Sequence, residues 1–385
     1  MNRIILVGNG FDLAHGLPTS YKDFINWYWH NWINRLKNSK KIKEEDKLCS
    51  FQLTKYYNHW SHYFDTMINM HRGKTDYEII NELRSNQYNS CNAVFCKFIN
   101  NISLSINTKG WVDIENEYYK LLKSLLSLSL KPEIISEKAK KLNDELECLK
   151  SHLIEYLKQV QDRYLINDKN INPEIENLIF GPINDRDMSL AAKEQIKINK
   201  VGAFIDDMYG WHPYRIMILN FNYTRTTEFN YRDRFSDITI NYIHGNLSNP
   251  KNIIFGYGDE LDDDFKKIRD TNDNNLLDEI KSVKYMEAAN YRELLDFVES
   301  DLFQIYIMGH SCGNSDRTLL NTLFEHKNCV TIKPFYHERE DGSDDYLNIV
   351  QNIMRNFNDM KMMRDKVVNK TFCQPLPQME LQPIS

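Results

Sequence analysis

Arg3-Ile4-Ile5-Leu6-Val7-Gly8-Asn9-Gly10-Phe11-Asp12 reads as a buried strand running straight into a glycine-flanked turn. Four consecutive apolar residues without alternation fit a strand covered on both faces. Glycines at 8 and 10 let the backbone approach an anion closely. A helix beginning near Asp12 would then aim unpaired N–H groups and its positive dipole end at a pyrophosphate. Leu13 stands where a full dinucleotide fingerprint carries its third glycine, so the same letters also read as a tight turn.

The partners of this strand lie far down the chain. Short apolar runs at 215–219, 238–243, 252–255, 302–308 and 329–332 read as strands, and the stretches near 285–300, 315–327 and 345–362 read as covering helices. Together they predict a parallel α/β sheet of about six strands. Residues 21–204 have another texture, polar-rich and helical, with aromatics and leucines three and four apart, as in Phe24, Trp27 and Tyr28 or Leu121, Leu122, Leu125 and Leu126. The expected organisation is a nucleotide-binding domain over 1–24 and 205–385, interrupted by a helical insertion over 25–204.

Composition bounds the function. A chain of 385 residues with 42% hydrophobic content can bury a substantial core. No apolar run approaches the roughly 18 residues of a membrane span, and the N-terminal apolar stretch ends too early for a signal peptide, so a cytoplasmic location is the default. The seven cysteines at 49, 91, 96, 148, 312, 329 and 373 are scattered and odd in number, which reads as reduced thiols. A net charge of −6 gives no strong nucleic-acid signal. The basic run at 37–43 meets Glu44, Glu45 and Asp46 and reads as a solvated segment. His59 and His62 lack a nearby third ligand for a metal. The acidic stretch 259–279 hints at calcium, but Asn275 and Lys281 stand where a calcium loop from Asp270 needs glycine and an acid; a mobile surface loop or lid is expected there.

Three motifs that can carry chemistry each follow one of the predicted strands. Asn220-Phe221-Asn222-Tyr223-Thr224 follows one and His244-Gly245 the next. Singly, each reads as a turn former, helix cap or structural histidine; jointly, their side chains would converge on the crevice of the Gly8–Gly10 loop. Gly309-His310-Ser311-Cys312-Gly313 is a formal G-x-S-x-G match, with Ser311 as a candidate nucleophile. Only about 70 residues follow it, whereas a nucleophile elbow is normally followed by further strands. The alternative is another strand-end loop, in which Ser311, Ser315 and Asp316 hydrogen-bond a ribose. Trp111-Val112-Asp113-Ile114-Glu115 can bring a carboxylate to the crevice or simply start a helix with acids in its first turn.

Together, Ile5 to Asp12, Gly16-Leu17-Pro18-Thr19-Ser20-Tyr21, the Trp111, Asp113 and Glu115 segment, Asn220 to Thr224, Ile243-His244-Gly245 and Gly309 to Asp316 resemble the bacterial AbiH abortive-infection family. That family is in turn similar to the sirtuin-like domains of anti-phage NAD hydrolases. These share the order glycine loop, asparagine-bearing strand end, His-Gly and late Gly-x-Ser loop, and the implied fold is Rossmann-like. By this resemblance Asn222 takes the position of the catalytic asparagine of an Asn-Tyr-Asp motif, and His244 that of the catalytic histidine. Thr224 stands where those domains commonly carry aspartate, and Asn9 with Phe11-Asp12 replaces a small-residue loop. The implied substrate is therefore NAD or a related nucleotide.

The implied reaction is hydrolysis of the N-glycosidic bond with release of nicotinamide. The leaving group departs neutral, so the demand on the protein is to stabilise an oxocarbenium-like ribose and place a water. The Asn222 carbonyl can orient that water, and neutral His244 can bond a ribose hydroxyl or take a proton. Gly8, Asn9 and Gly10 would hold the pyrophosphate, with Phe11 and Asp12 beside them among the nucleotide-binding residues. Asn220, Tyr223, Gly309, His310, Ser311, Ser315 and Asp316 complete the expected site, and the chemistry requires neither a metal nor a cofactor beyond NAD as substrate. Such an enzyme must be silent at rest, which implies gating through a homo-oligomer, a protein partner or a phage component. Two rivals stay open: a nucleotide-sensing module without catalysis, and a serine hydrolase using Ser311.

Overall fold

The computed structural model describes residues 1–54, 56–85, 90–110, 112–127, 130–166, 172–199, 211–232 and 237–379. The chain forms two compact units, one of Met1–Thr19, Leu157–Lys267 and Glu279–Ser385, the other of Ser20–Tyr156 and Ile268–Asp278. Of the segment expected as a single insertion, residues from 157 onward therefore count with the first unit. No helix among the described residues is long and apolar enough to cross a membrane.

The first unit is built on strands β1 (Asn2–Val7), β5 (Ile216–Asn220), β6 (Ile238–Tyr242), β7 (Phe303–Met308) and β8 (Cys329–Phe335). All four pairings are parallel, in the order β6-β5-β1-β7-β8. This is the order of doubly wound nucleotide-binding sheets, with the reversal between β1 and β7. The continuous apolar runs fit this position, because alternate residues face opposite layers. Ile4, Leu6, Met217, Leu219, Ile305 and Ile307 enter one core with the helices Asn290–Ser300, Arg317–Phe324 and Tyr346–Arg355. Ile5, Val7, Ile216, Ile218, Tyr306 and Met308 enter the other with Phe11, Ile175 and Ile179. Arg3 is fully buried at the head of β1, where its guanidinium donates to the carbonyls of Leu178 (3.2 Å) and Ile179 (2.6 Å) in the helix Pro173–Phe180.

The sheet has five strands rather than the expected six. The segment 252–255 is not a strand, although Ile253, Ile254 and Phe255 are buried: Pro250–Asn252 is a 3-10 turn, and the chain beyond it bonds locally, Ile254 N–H donating to the His244 carbonyl at 2.9 Å. An apolar run shows burial, and Pro250 at the turn's first position diverts the chain from pairing.

The second unit is not wholly helical. Beside the helices Tyr21–Asn38, Asp76–Ser85, Lys97–Lys109 and Ile114–Leu126 it holds an antiparallel sheet of β2 (Lys43–Glu45), β3 (Cys49–Leu53) and β4 (Cys91–Phe95). Cys49, Phe51 and Leu53 are buried while Ser50 and Gln52 are more exposed, the period-2 pattern of a half-buried strand. Phe51 and Phe95 pack on Trp32 and Trp29 at ring distances of 5.0 and 5.4 Å. The acidic stretch expected to be a loop contains the helix Asp263–Asp270 and the 3-10 turn Asn274–Leu276. His59 caps the helix Trp60–Thr66 through its Nδ1, which accepts from the His62 N–H at 3.1 Å.

Candidate functional site

Register brings the motifs together. Val7 pairs with Asn220 and with Met308, and Asn220 pairs with Tyr242, so four neighbouring strands end level. Residues just past those ends share one edge of the sheet, at the crevice where open α/β sheets take ligands. Gly8, Asn222, His244 and His310 occupy it.

At the switch point the two glycine loops press against each other. Gly309 has φ +71, and a Cβ there would lie 2.0 Å from Phe11 N; a Cβ on Gly10 would lie 2.8 Å from Gly309 Cα. Gly8 N–H donates to Met308 O (3.3 Å), Gly10 N–H to Gly309 O (2.8 Å) and Phe11 N–H to Gly8 O (2.9 Å). These glycines thus serve a loop-to-loop approach, and three N–H groups of the expected pyrophosphate cradle are spent within the protein. Asn9 is exposed and its side-chain oxygen accepts from Thr19 Oγ1 at 2.6 Å. A methyl group at 309 would part the loops, so Gly309→Ala is expected to lower stability by about 2–4 kcal/mol in chemical denaturation, combining left-handed strain with overpacking.

Asn222 is held from both ends of its residue. Its N–H donates to Asn220 Oδ1 and its side-chain amide to the Gly8 carbonyl, each at 2.9 Å. With Nδ2 anchored, the carboxamide oxygen is the side chain's acceptor. Asn220, whose Nδ2 donates to Thr227 Oγ1 at 3.0 Å, is the support of this turn rather than a ligand group. Tyr223 ties the same loop to Ile254 by donating to its carbonyl at 3.0 Å.

Asp12 lies behind Asn222, 1% exposed. Thr224 donates to its Oδ2 at 2.5 Å, while Oδ1 has no hydrogen-bond partner among the described residues. Burial pushes its carboxyl up to about 6 against the opposing hydroxyls of Thr224 and Thr226 and the amide of Asn222. A carboxyl raised on folding contributes stability that is complete below its unfolded value near pH 4 and is lost as pH rises through about 6. Asp12→Asn removes this loss. The variant is expected to exceed the wild type by up to about 3 kcal/mol at pH 8 and to match it near pH 4, read from unfolding at both pH values.

The second focus is an ion cluster around Asp316, in the 3-10 turn Asn314–Asp316 that follows the β7 loop. Lys281, fully buried, donates from Nζ to Asp316 Oδ1 at 2.8 Å. His244 Nε2 is 3.3 Å from the same oxygen and 3.1 Å from the Tyr285 hydroxyl, and His310 Nε2 is 3.6 Å from Oδ2. Burial tends to raise the Asp316 carboxyl, but Lys281 and then His244 hold it well below the usual carboxylate range. Burial, aided by Lys281, lowers His244 to about 4, so its imidazole is neutral at pH 7. Phe221 packs edge-on to His244 at 5.2 Å and against His310 at 4.1 Å. Asp316 and Tyr285 line a cavity of about 240 Å³ with Tyr291, whose ring stacks on Tyr285 at 5.4 Å.

Asp316 was expected to face a ribose; its oxygens are instead committed to Lys281 and the histidines. Lys281 itself was missed, and no local pattern marks it. Ser315 is buried in the same turn. Ser311 is exposed, and the left-handed residues of its loop are Gly309 (φ +71) and Cys312 (φ +53) rather than the serine, unlike an elbow that strains its nucleophile. His310 Nδ1 accepts from the Cys312 N–H at 3.0 Å, and His326 Nε2 lies 3.3 Å from Glu299. Among the described residues no histidine hydrogen bond to the Ser311 hydroxyl is formed. Trp111 lies outside the described residues, and Asp113 caps the helix Ile114–Leu126 by accepting from the Asn116 N–H at 2.9 Å.

A parallel sheet reversing at β1/β7, with polar side chains gathered past its carboxyl ends, defines a Rossmann-like α/β protein. The model of the family described as bacteriophage abortive infection AbiH matches residues 4–337, and the chain belongs to that family. Its function accordingly lies in abortive infection by bacteriophage. No curated protein and no solved structure matches the chain.

Proposed function

We propose that the crevice hydrolyses the N-glycosidic bond of NAD or a related nucleotide. The observation that carries this reading is the anchoring of Asn222: its amide nitrogen is bound to the Gly8 carbonyl, so its oxygen is oriented to accept from a water beside a bound ribose. Neutral His244 supplies a hydrogen bond to a ribose hydroxyl. With its conjugate acid near 4 it is a weak base at pH 7, and binding rather than proton transfer is its role.

Asp12 adds support. Position 224 holds threonine where the sirtuin-like motif commonly has aspartate, and the Thr224 hydroxyl bonds the carboxylate of Asp12. Buried at 1% exposure, this carboxyl backs the Thr224 and Asn222 loop rather than meeting the attacking water. The cavity of about 240 Å³ at Asp316, Tyr285 and Tyr291, which Asn222 and His244 do not line, is below the usual size of a whole-ligand site and has room for one ring or sugar. Because the glycine-loop N–H groups are spent internally, the pyrophosphate is held at the rim rather than in a closed cradle.

Such an activity would deplete the host's own nucleotide, so it is gated, by assembly of a homo-oligomer or by a protein or phage component acting in the cytoplasm. The experiment is NAD loss and nicotinamide release by purified protein, alone and with phage-infected lysate. Turnover supports hydrolysis. Binding of NAD without turnover in either condition rejects hydrolysis in favour of a sensing module.

A further inference from the structure

A cluster apart from the nucleotide crevice lies in the second unit. Cys148 and His152 are four residues apart on the helix Pro132–Ile166 and so share one face a turn apart. Asp46, from the turn between β2 and β3, stands against them. Its Oδ2 is 3.4 Å from His152 Nε2, and one donor atom from each of the three residues lies within 4.8 Å of the other two.

The carboxylate is fixed from behind. Asp46 Oδ1 accepts the backbone N–H groups of Leu48 (2.7 Å) and Cys49 (2.8 Å), and the Tyr28 hydroxyl donates to Oδ2 at 3.2 Å. The Tyr28 ring also packs edge-on to His152 at 5.2 Å. Backing hydrogen bonds of this kind orient metal ligands before the ion arrives. All three side chains are only partly buried, so an ion can reach them.

We propose that Asp46, Cys148 and His152 form a binding site for a divalent transition metal of the zinc type. Donor atoms on a tetrahedral zinc lie about 2.0–2.3 Å from the ion and hence about 3.3–3.8 Å from one another. The aspartate–histidine spacing already has that value, and small side-chain rotations bring in the sulfur. A set of thiolate, imidazole and carboxylate selects zinc-like ions over calcium or magnesium, which take oxygen donors. Binding requires the Cys148 thiol and any His152 imidazolium each to release a proton to solvent, so affinity weakens as pH falls. Three protein donors leave the fourth position to water.

The test is titration of full-length, chelator-treated protein with Co(II) as a spectroscopic probe, and with Zn(II) by equilibrium dialysis. One ion per chain is expected, with tetrahedral cobalt bands and thiolate-to-cobalt charge transfer. Cys148→Ser and His152→Ala should each weaken binding at least about 100-fold, while Cys373→Ser leaves it unchanged. Circular dichroism identifies any variant that fails to fold. Asp46→Asn, which keeps the size of the side chain, provides a further test of the oxygen ligand. Absence of bound metal at micromolar concentration, or undiminished affinity in both Cys148→Ser and His152→Ala, overturns the proposal.

Discussion

Turnover of NAD is expected to fall about 10²–10⁴-fold on Asn222→Ala, the range lost when a positioned polar or proton-transfer group is removed from a transition state. The side chain is half-buried, and its truncation forfeits the neutral hydrogen bond to Gly8, about 1 kcal/mol, together with the support its amide gives the Asp12 carboxylate. Stability therefore stays nearly unchanged while kcat collapses. Asn222→Asp makes the sharper comparison: the side chain keeps its size, but a carboxylate cannot donate to the Gly8 carbonyl, so it too should lose activity. His244→Ala should act mainly through KM, because the neutral imidazole binds rather than transfers a proton. Retained turnover in both Asn222→Ala and His244→Ala would reject the assignment. Loss confined to Ser311→Ala, with labelling by a serine-reactive probe, would instead revive the hydrolase that the exposed Ser311 and the left-handed Cys312 argue against.

Lys281→Met is expected to cost about 3–5 kcal/mol at pH 7.5, the penalty for leaving a buried carboxylate without its cation. The sign of the pH dependence follows from Asp316. Its carboxyl is held below the usual range, so it contributes stability above its unfolded value, and this is lost as pH falls through the lower folded one. Without Lys281 the carboxyl rises and protonates earlier, so the deficit of the variant should shrink between about pH 7 and pH 4. Lys281→Met with Asp316→Asn should be more stable than Lys281→Met alone, since the uncompensated charge is gone. Urea unfolding of the two variants at both pH values measures this. A cost below about 1 kcal/mol for Lys281→Met would mean the pair is not the electrostatic anchor of the site.

Much of the sheet unit was legible in the chain. Ile4 to Val7, and the runs around 216–220, 238–242, 303–308 and 329–335, are strands because an apolar segment buried on both faces needs no alternation. Polar residues immediately after such runs must fall at strand ends, which located Asn222, His244 and His310 at one edge. The run 252–255 misled because hydrophobicity reports burial, while pairing depends on backbone that Pro250 turns aside. The β2–β4 sheet was hidden because a few residues of alternation inside a helical texture are too short to register as a period.

Local chemistry, then, was settled by the sequence itself: which segments are apolar enough to be strands, where each ends, and which polar side chains follow. Those properties depend on neighbours within a few residues. The tertiary structure alone decided how the groups are spent. Gly8 and Gly10 meet Gly309 across about 300 residues of chain, so the N–H groups of an anion-cradle motif close a backbone contact instead. Lys281, which in the sequence only disqualified a calcium loop, is the cation of Asp316, and Asp12 becomes a raised acid because the core buries it, against the hydroxyl of Thr224. Burial and charge pairing are properties of space rather than of order along the chain, and they set the protonation states on which any reaction in this crevice depends.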